Sequence, residues 1–166
     1  MPTTKKSNRV FLSKVFNEHC FVETFENIEY LIKNKTPEIH LELLETDYLG
    51  FEAVSTLWSL LSKRHETTEL IVTVHASIRN EMLLLLLCAD KIEFNPLAWC
   101  YFESVPRFEE NSESKRYSSA HLFNHKNLCH LVSSYLPLND ISDRFLPISE
   151  LKEYLIFDDL DKMLQN

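Results

Sequence analysis

Glycine is almost absent from this chain of 166 residues, in which Gly50 is the single example. A domain of ordinary composition and this length would carry about twelve glycines. Phosphate loops, dinucleotide fingerprints and flexible oxyanion loops depend on glycine, because their backbone N–H groups must approach a ligand closely or adopt a positive φ. The composition therefore argues for a folded chain that lacks the usual catalytic cradles.

Length and composition indicate one globular domain. Hydrophobic residues make up 45% of the chain and charged residues 25%, which is typical of a chain that buries a core. We expect residues 1–8 to form a frayed N-terminus and residues 9–166 a single domain. The net charge of −8 argues against a nucleic-acid partner.

The sequence also predicts a location. The N-terminus does not resemble a secretory signal, and the apolar run Met82–Ala89 is far shorter than the ~20 residues of a membrane span. The cysteines show no metal-knuckle or redox spacing; they are Cys20, Cys88, Cys100 and Cys129. We expect a cytoplasmic protein with reduced thiols, no membrane contact and no cofactor.

Strand-like and helix-like patterns alternate along the chain. The predicted strands are 9–16, 39–44, 69–75, 92–94 and 99–102. The predicted helices are 17–34, 51–61, 80–91, 121–135, 149–154 and 158–164, with an exposed loop at 109–119 and Asn80 as the N-cap of the apolar helix. This order predicts an α/β fold with a mainly parallel sheet.

Three stretches carry a resemblance to a known family. They are Ile39–Leu61, Leu70–Glu103, and the run Asp143–Leu146 followed by Glu153-Tyr154 and Asp158. From about Arg9 to Leu164 the chain resembles the proteolytic subunit of the Clp protease (ClpP), within the ClpP/crotonase superfamily. The resemblance implies superhelical βαβ repeats with a mainly parallel sheet.

Active members of that family are serine peptidases with a Ser–His–Asp triad. The three triad positions fall here on Asn80, Glu103 and Asn139, and the family's Gly-Gly oxyanion turn falls on Glu45–Asp47. An amide at Asn80 is not a nucleophile. The resemblance therefore implies a degenerate, non-catalytic member, and we expect Arg79, Asn80 and Glu103 to form a hydrogen-bonded plug in the former cleft.

Three other constellations remain open. His75 and Ser77 lie two residues apart and form a conceivable shifted dyad. Glu103 is a conceivable acid/base of a crotonase-like enzyme, although no glycine lies near an oxyanion donor. His121, His125 and Cys129 follow i, i+4, i+8 spacing on one helical face, which is a weak zinc pattern; packing histidines are the simpler interpretation, and no metal is expected.

Function is therefore expected to lie in association. We expect a homo-oligomer, a partner of a Clp-type protease subunit, or an inhibitor of one, and the strong divergence would suit a phage-encoded protein in a host cytoplasm. A self-assembling structural protein without a Clp partner is the alternative. The aromatic stretch Trp99–Phe102 is either an interface strand or core, since interfaces favour aromatic residues.

Overall fold

The computed structural model describes residues 7–13, 18–44, 50–104 and 115–155. Its strands are β1 (Arg9–Leu12), β2 (Glu38–Leu43), β3 (Glu69–Val74), β4 (Ser77–Arg79), β5 (Lys91–Phe94), β6 (Trp99–Tyr101) and β7 (Phe145–Pro147). Its helices are α1 (Glu18–Lys33), α2 (Phe51–Leu61), α3 (Leu83–Leu87), α4 (Lys115–Ser133), α5 (Leu138–Ile141) and α6 (148–155), with a 3₁₀ turn (Asn80–Met82) before α3.

The larger sheet has the strand order β1-β2-β3-β5, and all its described strand pairs are parallel. Leu41 lies in register with Val10 on one side and Val72 on the other, and all three are at most 4% exposed. Because side chains alternate along a strand, this row forms one face of the sheet. Helices α1 and α2 contribute Ile28 and Leu57 to the same core.

The smaller sheet has the order β4-β6-β7, with β4 parallel and β7 antiparallel to β6. Its inward side chains are Ile78, Cys100 and Leu146, each at most 2% exposed. Strand alternation and register place a second set of side chains on the opposite side, which we call the outer aromatic face: Ser77, Arg79, Trp99, Tyr101, Phe145 and Pro147. The mixed α/β architecture with mainly parallel strand pairs confirms the predicted fold class.

The apolar helix is shorter than its sequence pattern predicts. Met82 to Leu86 are buried as expected, but the helical segment ends at Leu87 rather than Lys91. Asp90 explains the early end, because its carboxylate accepts the Leu70 backbone N–H at 2.7 Å and so starts β5 beside β3. A continuous apolar run has no periodicity that separates helix from strand.

One further prediction is wrong in detail, because Lys115 to Ser119, expected in an exposed loop, belong to α4. Ser77 to Arg79, for which no element was predicted, form strand β4. The predicted helix at 158–164 lies outside the described residues. Asn8, expected in the frayed terminus, donates its side-chain N–H to the Glu38 carbonyl at 3.3 Å and so reaches β2.

None of the helices in the described ranges combines the length and the apolar character that crossing a bilayer requires.

Candidate functional site

Asn80 and Glu103, which the resemblance places at the first two triad positions, are in direct contact. The Asn80 side-chain N–H donates to Glu103 Oε2 at 3.3 Å, and the Glu103 backbone N–H donates to Asn80 Oδ1 at 2.9 Å. We call this reciprocal pair the Asn80–Glu103 latch. It forms because β4 and β6 run parallel with Arg79 opposite Tyr101, so the residues that follow the two strands come close to one another.

The backbone at Asn80 is unusual. Its φ is 42°, in the left-handed region that asparagine tolerates better than most residues. The expected N-cap role is wrong: Arg79 occupies the N-cap position without a side-chain cap hydrogen bond, and the Asn80 oxygen is used by Glu103 instead. The Asn80 side chain, at the start of the 3₁₀ turn, therefore points towards Glu103 at the end of β6.

A second carboxylate lies beside the latch. Glu81 is 7% exposed, and its Oε1 accepts the backbone N–H of Gly50 at 3.2 Å. Gly50 precedes α2 and has a φ of 81°, a conformation that side chains rarely adopt. The positive end of the α2 dipole and a backbone N–H form an anion-binding position, which Glu81 occupies.

The third triad position lies in a neighbouring cavity. Asn139, on α5, lines a cavity of about 370 Å³ together with Ser104 and Asp143. Asp143 accepts the backbone N–H of Ser104 at 3.1 Å and also its hydroxyl, and its own N–H donates to the Phe102 carbonyl at 2.7 Å. These bonds tie the end of β6 to the turn before β7, which indicates a structural role for Asp143.

Two of the three weak zinc candidates are in contact. The His125 Nε2 lies 3.4 Å from Cys129 Sγ and 3.3 Å from the Ser104 carbonyl oxygen. Burial raises the pKa of the Cys129 thiol, which disfavours the thiolate that metals bind. No group of three metal-ligating side chains occurs among the residues whose side chains the structure describes. The His121 side chain lies outside them, so the weak zinc pattern stays an untested alternative to packing histidines.

The His75 ring contacts a carboxylate that the sequence pattern did not single out. His75 Nε2 lies 2.7 Å from Glu42 Oε2, and Arg9 Nη1 lies 2.7 Å from Glu42 Oε1. Glu42 is 2% exposed, and Ser77 belongs to β4 opposite Trp99. The contacts of His75 therefore favour a structural contact with Glu42 over the shifted dyad. The sequence feature that could have indicated this contact is Glu42, a glutamate within the largely apolar predicted strand 39–44.

Two thiols are chemically quiet. Burial raises the pKa of Cys88 and of Cys100 from 9.0 to about 12. At neutral pH both are protonated, and the thiolate is the reactive form of cysteine.

Comparison with known proteins identifies the fold. No family profile and no curated protein matches the sequence. The structure is similar to the crystal structure of the ClpP protease catalytic domain from Plasmodium falciparum, with a TM-score of 0.70 and 13% sequence identity. The match covers 90% of this chain and 82% of that chain. The chain therefore has the α/β fold of the ClpP catalytic domain, as the sequence resemblance implied.

Proposed function

We propose that this chain is a ClpP-like pseudo-peptidase that acts by association rather than by catalysis. The observation that carries the proposal is the Asn80–Glu103 latch, in which an amide and a carboxylate are bonded to each other at the first two triad positions. Serine-type acyl transfer needs a hydroxyl nucleophile with an adjacent base. The amide of Asn80 supplies no such nucleophile.

Charge argues in the same direction. Acyl transfer develops negative charge on the substrate oxygen, and active sites stabilise it with hydrogen-bond donors. Here Glu103 contacts Asn80, and Glu81 takes the Gly50 N–H at the start of α2. Two carboxylates close to a developing oxyanion destabilise it, most strongly where the surroundings are apolar. The expected oxyanion turn, Glu45–Asp47, lies outside the described residues, so the crotonase-like alternative is left to experiment.

The proposed partners are further copies of this chain or a subunit of a Clp-type protease, which it would join or inhibit. Support comes from the fold, which the chain shares with a ClpP catalytic domain, and from the loss of a nucleophile at Asn80. A phage-encoded protein that acts on a host protease in the cytoplasm would fit this role. The alternative remains a self-assembling structural protein without a Clp partner.

Peptidase assays test the loss of catalysis. We expect no hydrolysis of a fluorogenic peptide or of labelled casein by the wild-type chain or by Asn80→Ser, because a serine there still faces Glu103 rather than an imidazole. Glu103→Gln is the matched control, since it keeps the shape of the latch without its charge. Hydrolysis by the wild type above a heat-denatured control would overturn the proposal, and hydrolysis by Asn80→Ser would count against the expected plug in the former cleft.

Native mass measurement tests association. The chain is weighed alone and after mixing with a purified Clp-type peptidase. A ring or a mixed complex supports the proposal, and a ring that ignores the peptidase favours the structural alternative. A monomer in both samples contradicts association of either kind. Thermal melting with acyl-CoA compounds tests the crotonase-like alternative, for which no stabilisation is expected.

A further inference from the structure

The outer aromatic face carries an open apolar groove. The groove has a volume of about 460 Å³, and its lining residues are Pro96, Leu97, Ala98, Trp99, Phe145 and Pro147. Leu97 is 85% exposed and Phe145 is 67% exposed. Contiguous exposed apolar surface of this kind marks interaction sites, whereas isolated exposed apolar side chains are common.

The groove is held in place by its own side chains. The Phe145 ring packs edge-on against Trp99 with centroids 4.8 Å apart, and lies 5.0 Å from the Tyr101 ring. Pro96 and Pro147 restrict the backbone at its two sides. Pro147 also lacks the N–H that would bond an added strand. A preorganised groove of this type is suited to side-chain anchors, since little ordering entropy is lost on binding.

A cation lies beside the groove, and Arg144, next to Phe145 in sequence, is paired with Glu150 at 2.7 Å. Arg79 lies 5.6 Å from the Trp99 ring centroid and 5.9 Å from that of Tyr101. It is the one formally charged residue among the six that make up the outer aromatic face, on a chain whose net charge is −8. A segment that places an apolar side chain in the groove and a carboxylate near Arg79 is therefore complementary in both respects.

The size of the outer aromatic face indicates which kind of partner it can bind. A stable interface between two proteins buries about 800 Å² per partner and involves about 20–30 residues on each side. The outer aromatic face has six residues, so it does not supply a dimer interface alone. The groove volume of about 460 Å³ instead lies within the roughly 300–1,000 Å³ typical of small binding sites.

We propose that this groove binds a short segment of a partner protein, in which a bulky apolar side chain is followed within one or two residues by Asp or Glu. The apolar side chain packs between Leu97 and Phe145, and the acidic side chain pairs with Arg79. The inference rests on the proposed function, because it names the surface through which association with a partner takes place.

Fluorescence anisotropy with three labelled hexapeptides tests the inference. The peptides carry Phe-Leu-Asp, Phe-Leu-Lys or Ser-Ser-Asp between glycines. We expect the Phe-Leu-Asp peptide to bind about tenfold more tightly than the Phe-Leu-Lys peptide, and the Ser-Ser-Asp peptide not to bind at about 1 mM. Equal affinity for the acidic and basic peptides, or no binding of any peptide, would overturn the inference.

Matched variants locate the site. Phe145→Ser is expected to abolish binding, whereas Phe123→Ser, which alters an equally exposed ring (65%) on α4, is expected to leave it unchanged. Arg79→Gln is expected to remove the preference for the acidic peptide. Circular dichroism melts establish that each variant is folded. Binding that survives Phe145→Ser, or is lost equally in Phe123→Ser, contradicts the proposed groove.

Sedimentation and partner binding separate this inference from the proposed function. A wild-type dimer that Phe145→Ser converts to monomer, without peptide binding, identifies a second copy as the occupant and overturns the peptide proposal. If the chain joins a Clp-type peptidase and Phe145→Ser still joins it, the groove proposal fails while the proposed function stands. If the chain hydrolyses peptides, the proposed function fails whatever the anisotropy shows.

Discussion

The two sheets of this protein share an apolar inner face and differ in what they present outward. On the larger sheet, the outward Glu42 is held by Arg9 and His75, and Lys91 pairs with Glu93 at 2.6 Å. On the smaller sheet, three of the six outward positions are aromatic, and Phe145 is 67% exposed. The larger sheet thus pairs these outer charges within the chain and exposes one aromatic ring, Phe11 (55%), whereas the smaller sheet exposes a cluster of apolar side chains around Phe145.

This difference separates stability from recognition. Polar pairs on an outer strand face satisfy each other and give solubility, so that face needs no partner. Exposed aromatic rings contribute little to the free energy of folding, whereas their burial against another molecule contributes to the free energy of binding. The comparison predicts that substitutions affect the free energy of unfolding mainly on inner faces, and affect binding mainly on the outer aromatic face.

The largest effects are expected on the inner faces. Leu41→Ala on the larger sheet and Leu146→Ala on the smaller sheet remove side chains that are at most 1% exposed. Each is expected to lower the free energy of unfolding by about 2–5 kcal/mol, because a cavity adds to the lost burial. Urea unfolding measures both. A small effect for Leu146→Ala alone would show that the smaller sheet is not integral to the core.

A smaller loss is expected at the charged outer face of the larger sheet. Glu42→Ala removes the acceptor shared by Arg9 and His75, whose side chains are 56% and 45% exposed. Water can therefore reach the two abandoned groups, and we expect a loss of about 1–3 kcal/mol in urea unfolding. Glu42→Gln, which keeps an oxygen acceptor, is expected to lose less. An unchanged urea midpoint for Glu42→Ala would show that the contacts of Glu42 with Arg9 and His75 do not stabilise the fold.

Alkaline pH compares the interiors of the two regions. Cys100 lies in β6, and Cys88 follows α3 beside the larger sheet; burial raises the pKa of both thiols from 9.0 to about 12. Below pH 9 both thiols are protonated in the folded chain and in the unfolded chain. Between 9 and 12 the unfolded thiols lose them first, so the free energy of unfolding falls as pH rises, by about 1.4 kcal/mol per unit and thiol.

Urea unfolding between pH 7 and pH 10.5 measures this slope. Cys88→Ala and Cys100→Ala are each expected to reduce it by a similar amount, since burial raises the pKa of both thiols to about 12. A reduction in the Cys88→Ala slope without one in Cys100→Ala would indicate that the smaller sheet opens before the rest of the protein.

The smallest effect is expected at the apolar groove beside the outer aromatic face. Leu97→Ser alters a side chain that is 85% exposed, so the free energy of unfolding should change by no more than about 0.5 kcal/mol. Binding of a hydrophobic dye should fall in the same variant. A loss above about 1 kcal/mol would show that Leu97 supports the fold, and the contrast between the two sheets would then fail.

The elements with clear periodicity were predictable from sequence. Alternation of Ile39, Leu41 and Leu43 predicts β2, and helical spacing of Val54 and Leu57 predicts α2 at its observed bounds, Phe51–Leu61. The end of α3 was not predictable from the same kind of pattern, because it depends on the bond from Leu70 to Asp90. Local pattern contains no information about that long-range contact.

The candidate site was predictable only in part. The family resemblance singles out Asn80 and Glu103, and their contact spans 23 positions of sequence. Strand β4, which brings them together, is three residues long and too short to show alternation. The role of Glu42 depends on Arg9 and His75 from two neighbouring strands, so no spacing along the chain reveals it.

Gly50 has a consequence for which residues this position accepts. Its φ is 81° and its ψ is 139°, and a Cβ built there meets no atom within 4 Å. The constraint on this position therefore comes from its own backbone angles rather than from neighbouring side chains. L-alanine is expected to be strained there although the space around it is open, because glycine alone adopts such angles readily.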